Sequence, residues 1–255
     1  MERRGRLPSV YHRLINCSNQ SEGETMMNNI SKRTLLKIYR RTEGQGSNTD
    51  WLFYRKGIVT GTLTKRIWGY IYENRSNAET INKAISKVIS FDLRFPAIVY
   101  GRESESLASR DFVQQYKKNH RNVKFFEYGL KLDENIKYFG GSVDGVIQCD
   151  CCGKFIIEIK APYRLRDDSV HENFSILEYL NEDKSLKTIH PYFFQIQSYL
   201  GLYNLPKAFL IVWSKMDFLV IDVNFDSIFY KKLTDAVQEY YKNIYLPSLY
   251  REAHV

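Results

Sequence analysis

The chain has 255 residues, is 44% hydrophobic and 15% aromatic, and carries a net charge of +8, enough apolar material for one large domain or two small ones with a packed core. No run of 18 apolar residues occurs and the opening "MERRGRLPSVYHRL" has no apolar signal segment, so the expectation is a protein that is neither secreted nor membrane-inserted but cytoplasmic or nuclear. Cys17, Cys149, Cys151 and Cys152 are spaced wrongly for a disulfide framework, which fits a reducing compartment.

Residues 1–66 hold 13 Lys and Arg against 5 Asp and Glu, and the other 189 residues balance 24 against 24. A basic segment on a neutral body points to a polyanion such as nucleic acid, with a solvated basic arm as the alternative. Residues 16–29 and 42–50 read as polar loops bracketing a basic helix at "ISKRTLLKIYRR". Helical spacing follows over about 62–74, 78–89 and 97–118. The period then changes to two: "VKFFEYGLKL", "KYFGGSVDGVIQ" and "KFIIEIKAP" read as an antiparallel meander with turns at "DEN" and "CDCCG". After a charged, helical or irregular stretch at 163–188 come a helix from Pro191 to Tyr203, two strands ("KAFLIVWS", "FLVIDVNF") and a helix from about Ser227 to Leu246. The pattern predicts an α/β (α+β) fold, a central mixed sheet with an antiparallel meander flanked by helices, as a basic extension (1–50) followed by a main domain (51–255).

Three charges stand inside apolar strand runs. Alternation places Asp144 on one strand, and Glu158 with Lys160 on one face of the next. Carboxylates converging from neighbouring strands make a hard-oxygen site for Mg²⁺ or Mn²⁺, and an adjacent lysine stabilises an oxyanion or orients water. The competing reading is a solvated Glu–Lys pair with Asp144 in a "DG" turn; the apolar flanks argue against it. On the helix from Ala97, residues Ile98, Gly101, Glu105, Ala108, Phe112 and Tyr116 fall within about 60° of one line. Glu105 therefore belongs to a stripe expected to be buried, serving either this site or a buried arginine, whereas Glu103 points to solvent. Gly101 on that stripe is expected to admit a close backbone.

"GSVDGV" followed by "IIEIKAPY" resembles the D…E-x-K core of the PD-(D/E)xK nucleases. With "YGRESE" upstream and "FFQIQSYL" downstream, the chain is similar to the lambda exonuclease, or YqaJ viral recombinase, group, which includes viral alkaline exonucleases; "YRKGIVTGT" looks like that group's Arg-x-Gly-x-x-Thr-x-Ser element, with Thr62 in place of serine. The resemblance implies a restriction-endonuclease-like core and an exodeoxyribonuclease acting 5′-to-3′ on linear duplex DNA by two-metal hydrolysis, supplying single strands for recombination or genome processing. It implies that Glu105, Asp144, Glu158 and the Ile159 carbonyl hold the metals, that Lys160 sits against the attacking water, that Gln195 rather than Gln197 faces the site, and that Arg55 and Thr62 bind a phosphate at a DNA end. The implied partners are duplex DNA ends and a single-strand-annealing or single-strand-binding protein. Two alternatives stand beside it: a RecB-type nuclease, whose Gln-x-x-x-Tyr helix motif "QIQSY" also satisfies, and an inactive nuclease fold that only binds nucleic acid or acts in shut-off.

"CDCC" reads as a plain turn, since three cysteines so close in sequence do not easily face one tetrahedral ion and no histidine lies nearby in sequence; a structural or intermolecular zinc site is the alternative. The scattered His12, His120, His171, His190 and His254 read as surface or capping residues, and the aromatic residues as core or base-stacking surface.

Overall fold

A computed structural model describes residues 7–45, 48–86 and 95–252. Part of the predicted 42–50 loop and the end of the predicted 78–89 helix lie outside them. The described strands are β1 (Val59–Thr60), β2 (Lys124–Phe126), β3 (Lys131–Leu132), β4 (Phe139–Gly141), β5 (Gly145–Cys149), β6 (Gly153–Lys160), β7 (Lys207–Trp213) and β8 (Phe218–Asn224). None of the described helices is long and apolar enough to cross a membrane. The chain divides into two packing units, one of residues 1–89, 128–142 and 227–255, the other of 90–127 and 143–226.

The first unit is mostly helical around a small sheet of order β1-β4-β3. Its core holds Tyr54, Ile58, Ile67, Ile81, Ile85 and Tyr240, and Tyr138 stacks on Tyr241 with centroids 3.8 Å apart. The basic helix forms as Lys32–Arg41. Residues 16–29, expected as loop, contain a helix at Gln20–Asn28. Its signal was present: Asn19 at the N-cap accepts from the Glu22 amide at 3.0 Å, satisfying an otherwise orphaned first-turn donor, and Glu22 reaches back to the Ser18 amide just before the cap at 2.7 Å.

The second unit carries a sheet of order β2-β5-β6-β7-β8. Only β6 and β7 run parallel; the other neighbours are antiparallel, so the sheet is mixed. The expected meander is realised as β2-β5-β6, while β3 and β4 pair in the other sheet. The diversion begins at Gly129, where a Cβ would lie 1.9 Å from the Tyr39 carbonyl, and the following amide of Leu130 donates to Thr42 Oγ1 at 2.7 Å. Only a glycine lets the strand leave the sheet there.

Odd-numbered residues of the central strands form the main core with the long helix Pro96–Asn119: Ile147, Ile157, Ile159, Phe209, Ile211 and Trp213 pack with Ala108 and Phe112. Trp213 Nε1 also donates to Asp111 Oδ2 on that helix at 3.0 Å. Even-numbered side chains of β6 point to the opposite face, where the helix Pro191–Tyr203 lies. This helix starts with proline in its first turn, capped by His190 accepting from the Tyr192 amide at 3.2 Å. The irregular segment before it is ordered by apolar burial of Leu165, Val170, Leu177, Leu180 and Leu186. Asp217 anchors it further, accepting from the Val170 amide at 2.6 Å and Ser169 Oγ at 2.5 Å.

Candidate active site

The site forms where β5 begins and β6 ends. Gly145 pairs with Ile157, which leaves Asp144 one step beyond the ladder, opposite Glu158. There Asp144 Oδ2 accepts from the Ile159 amide at 2.7 Å, replacing a strand hydrogen bond with a charge-assisted one. The glycine after Asp144 answers a packing demand and makes no tight turn: a Cβ on Gly145 would stand 2.3 Å from the Phe125 ring.

Glu158 is 1% exposed. Its Oε1 accepts from Lys160 Nζ at 2.5 Å and from Gln195 Nε2 at 2.6 Å. Glu158 Oε2 is buried and has no hydrogen-bond partner among the described residues, a costly condition for a carboxylate oxygen. Gln195 Nε2 also donates to Tyr199 Oη at 3.1 Å, so its two N–H groups are spent on protein acceptors. Gln195 thus positions Glu158, on the same oxygen that Lys160 holds. Gln197 turns away, donating to the Asn224 carbonyl and accepting from the Asp226 amide. Lys160 Nζ lies 4.7 Å from the centroid of the Tyr192 ring, a cation–π contact that confines the ammonium beside Glu158.

Electrostatics bind the group together. Burial first, then the Asp144 charge, push Glu158 up to about 8 against the opposing pull of Lys160. The carboxyl of Glu105 rises to about 7 through desolvation and then Asp144, opposed by Lys160 and Arg102. Asp144 is likewise raised by burial, with Lys160 and the Ile159 amide holding it back. Burial works against the Lys160 charge, but Glu158 and Asp144 more than offset it and the lysine titrates above its ordinary range.

Glu105 corrects one expectation. The stripe it belongs to is buried at Ala108 and Phe112, but Ile98 and Glu105 are exposed, and nothing lies within 4 Å of a Cβ built on Gly101. Helical phase fixes the direction of a side chain but not what covers it. Ala108 and Phe112 lie in the sheet core with Tyr100 and Tyr116 packed against it, whereas Glu105 stands at the open side of the site, its carboxyl acting on Asp144 and Glu158. Glu103 is exposed, as its phase requires.

Arg55 and Thr62 belong to the first unit. The Arg55 guanidinium lies 4.1 Å from the Trp51 ring centroid, and exposed Thr62 shares a hydrogen bond with Thr60 at 2.9 Å. Sequence reasoning missed Tyr192, for which no motif spoke; Tyr199, four residues after Gln195 on one helical face, is the tyrosine of the Gln-x-x-x-Tyr motif, and its hydroxyl accepts from Gln195.

Three carboxyls converge on one lysine, and the unpartnered Glu158 oxygen calls for a positive charge. Hard oxygen donors of this kind fit a divalent cation. Asp144 on one strand, with Glu158 and Lys160 on the next, is the D…E-x-K set that carried the sequence resemblance, here on neighbouring strands of a mixed sheet. A YqaJ-like viral recombinase domain matches residues 50–203, more than half of the chain, and the chain belongs to that family. No curated protein sequence matches it. Among solved structures, the alkaline exonuclease LHK-Exo of Laribacter hongkongensis has the same fold at 17% identity and a TM-score of 0.57, over 80% of this chain and 94% of that one. The shutoff and exonuclease protein of Kaposi's sarcoma-associated herpesvirus is similar at 11% identity and 0.53, over 91% and 75%. The same protein bound to DNA gives 12% and 0.55, over 88% and 75%.

Proposed function

We propose that the chain is a Mg²⁺-dependent exodeoxyribonuclease that degrades linear duplex DNA from 5′ ends and leaves single strands for recombination or genome processing. The observation that carries this reading is the buried, unpartnered Oε2 of Glu158, in a carboxylate held on its other oxygen by Lys160 and Gln195. Glu105, Asp144, Glu158 and the Ile159 carbonyl are the groups that would hold the cation. Bound there, a divalent ion lowers the pKa of an attacking water and neutralises charge on the leaving 3′-oxygen.

The residues divide the remaining work. Lys160, raised above its ordinary range, stays protonated at working pH, so it donates to the attacking water or to the phosphoryl oxygens and does not accept a proton. Gln195 fixes the rotamer of Glu158, and Tyr192 confines Lys160. Arg55 and Thr62 bind phosphate in this reading, supported by the basic excess of residues 1–66. The fold similarity to a protein solved with DNA supports nucleic acid as the substrate class. A single-strand-annealing or single-strand-binding protein is the partner that would take up the product.

The test is digestion of blunt linear duplex labelled at either the 5′ or the 3′ end, with circular duplex and single-stranded RNA as controls. Early release of the 5′ label as mononucleotide, only with Mg²⁺ and only from linear duplex, is the expected result. Release of the 3′ label first overturns the polarity, and cleavage of circles or preference for RNA overturns the substrate.

A further inference from the structure

The β5–β6 hairpin tip holds Cys149, Cys151 and Cys152, and no histidine lies near them in sequence. In the fold, His120 lies among them. The helix Pro96–Asn119 ends beside the hairpin, and the backbone immediately after it is pinned there: the Asp150 amide donates to the Arg121 carbonyl at 3.1 Å, and Asn122 Nδ2 donates to Asp150 Oδ2 at 2.5 Å. The His120 ring stacks on Tyr116 with centroids 3.7 Å apart and planes 4° apart, and the Tyr116 hydroxyl lies 3.6 Å from Cys149 Sγ.

His120 Nδ1 stands 3.7 Å from Cys149 Sγ, 3.2 Å from Cys151 Sγ and 3.4 Å from Cys152 Sγ. Cys151 Sγ is 3.4 Å from Cys149 Sγ and 3.7 Å from Cys152 Sγ, and all four atoms lie within 4.8 Å of one another. A tetrahedral zinc with Zn–S near 2.3 Å and Zn–N near 2.05 Å sets its ligand atoms about 3.8 Å (S to S) and about 3.5 Å (S to N) apart. The five separations therefore match five of the six edges of one metal-sized tetrahedron, and the sixth is within 4.8 Å.

We propose that His120, Cys149, Cys151 and Cys152 bind a structural Zn²⁺ ion. Thiolates and an imidazole are a borderline-soft set that suits zinc and differs in kind from the all-oxygen nuclease site. With four protein ligands the zinc keeps no open position for a substrate. A cubane iron–sulfur cluster would spread its ligands much farther apart than these. The zinc site is remote from the carboxylates: Glu105 stands 14 residues before the helix end at Asn119, about 21 Å along the axis, and His120 follows that end. The ion joins the end of the helix that carries Glu105 to the hairpin that carries Asp144 and Glu158 at its other end, and so sets how that helix lies on the sheet.

The test is elemental analysis of the full chain purified in reducing buffer without chelator, followed by replacement with Co²⁺. About one zinc per chain is expected, and the cobalt form should show thiolate-to-metal charge transfer with the intense visible bands of a tetrahedral ion. Zinc should persist in Glu158→Gln and fall to near zero in the Cys151→Ser/Cys152→Ser double variant, while His120→Cys retains it. If the double variant does not fold, an organomercurial titration of the native chain replaces it, with zinc released in step with thiol loss. Substoichiometric zinc in native protein, a cobalt spectrum without the thiolate band, or stoichiometric iron with a brown colour would each overturn the assignment.

Discussion

Replacing Glu158 by glutamine should lower the rate of phosphodiester hydrolysis by about 10³-fold or more while nucleic-acid binding changes little. The substitution keeps the shape of a side chain that is 1% exposed and removes only its charge. It leaves the Lys160 ammonium without its carboxylate partner and presents an amide to the place where a cation belongs. Lys160→Met should lose about 10²- to 10⁴-fold by a different route, because it deletes the donor and keeps all three carboxylates. Single-turnover digestion of labelled duplex measures the loss, and fluorescence anisotropy of the same duplex measures binding. A Glu158→Gln rate within tenfold of the native one would remove Glu158 from the mechanism; equal loss of binding would make its role architectural.

The second large effect is on stability. The folded-state titration of Glu158 is raised from 4.5 to about 8. Between those values the folded chain holds a proton that the unfolded chain has released, so stability falls as pH rises across the interval and is flat above it. Glu105 acts in the same direction between 4.5 and about 7, more weakly because the residue is exposed and solvent screens it. A cation competes with those protons, so its stabilising effect grows with pH. At a hundredfold excess over its dissociation constant, Mg²⁺ adds about 2.7 kcal/mol, or roughly 5–10 °C in melting temperature for a chain of this size. Thermal melts with and without millimolar Mg²⁺ should separate by several degrees at pH 8.5 and nearly coincide at pH 5.5. Equal shifts at both pH values, or none, would show that these carboxyls do not hold the ion.

The parts of this site that are local in sequence were readable there. Alternation placed Glu158 and Lys160 on one face of one strand, and proline in the first turn marked the helix that brings Gln195 to them. The parts that depend on what covers a surface were not. The phase of Glu105 was legible but its exposure was not, because a helical wheel knows direction and not neighbours. His120 and Cys149 are 29 residues apart, and their meeting depends on the length of a helix and the register of a hairpin together. The departure of β3 and β4 from the meander hinges on Gly129 against Tyr39, an approach between segments that no local period encodes.

Trp213, joined to Asp111, has a use beyond packing. The chain has three tryptophans, and Trp51 and Trp68 fall in the first unit. The second unit therefore owns a single indole, and that indole is tethered to the helix carrying Glu105. With Trp51 and Trp68 replaced by phenylalanine, ultraviolet emission from the remaining fluorophore becomes an optical gauge of whether that helix is seated, one that can be followed in real time without attaching a dye.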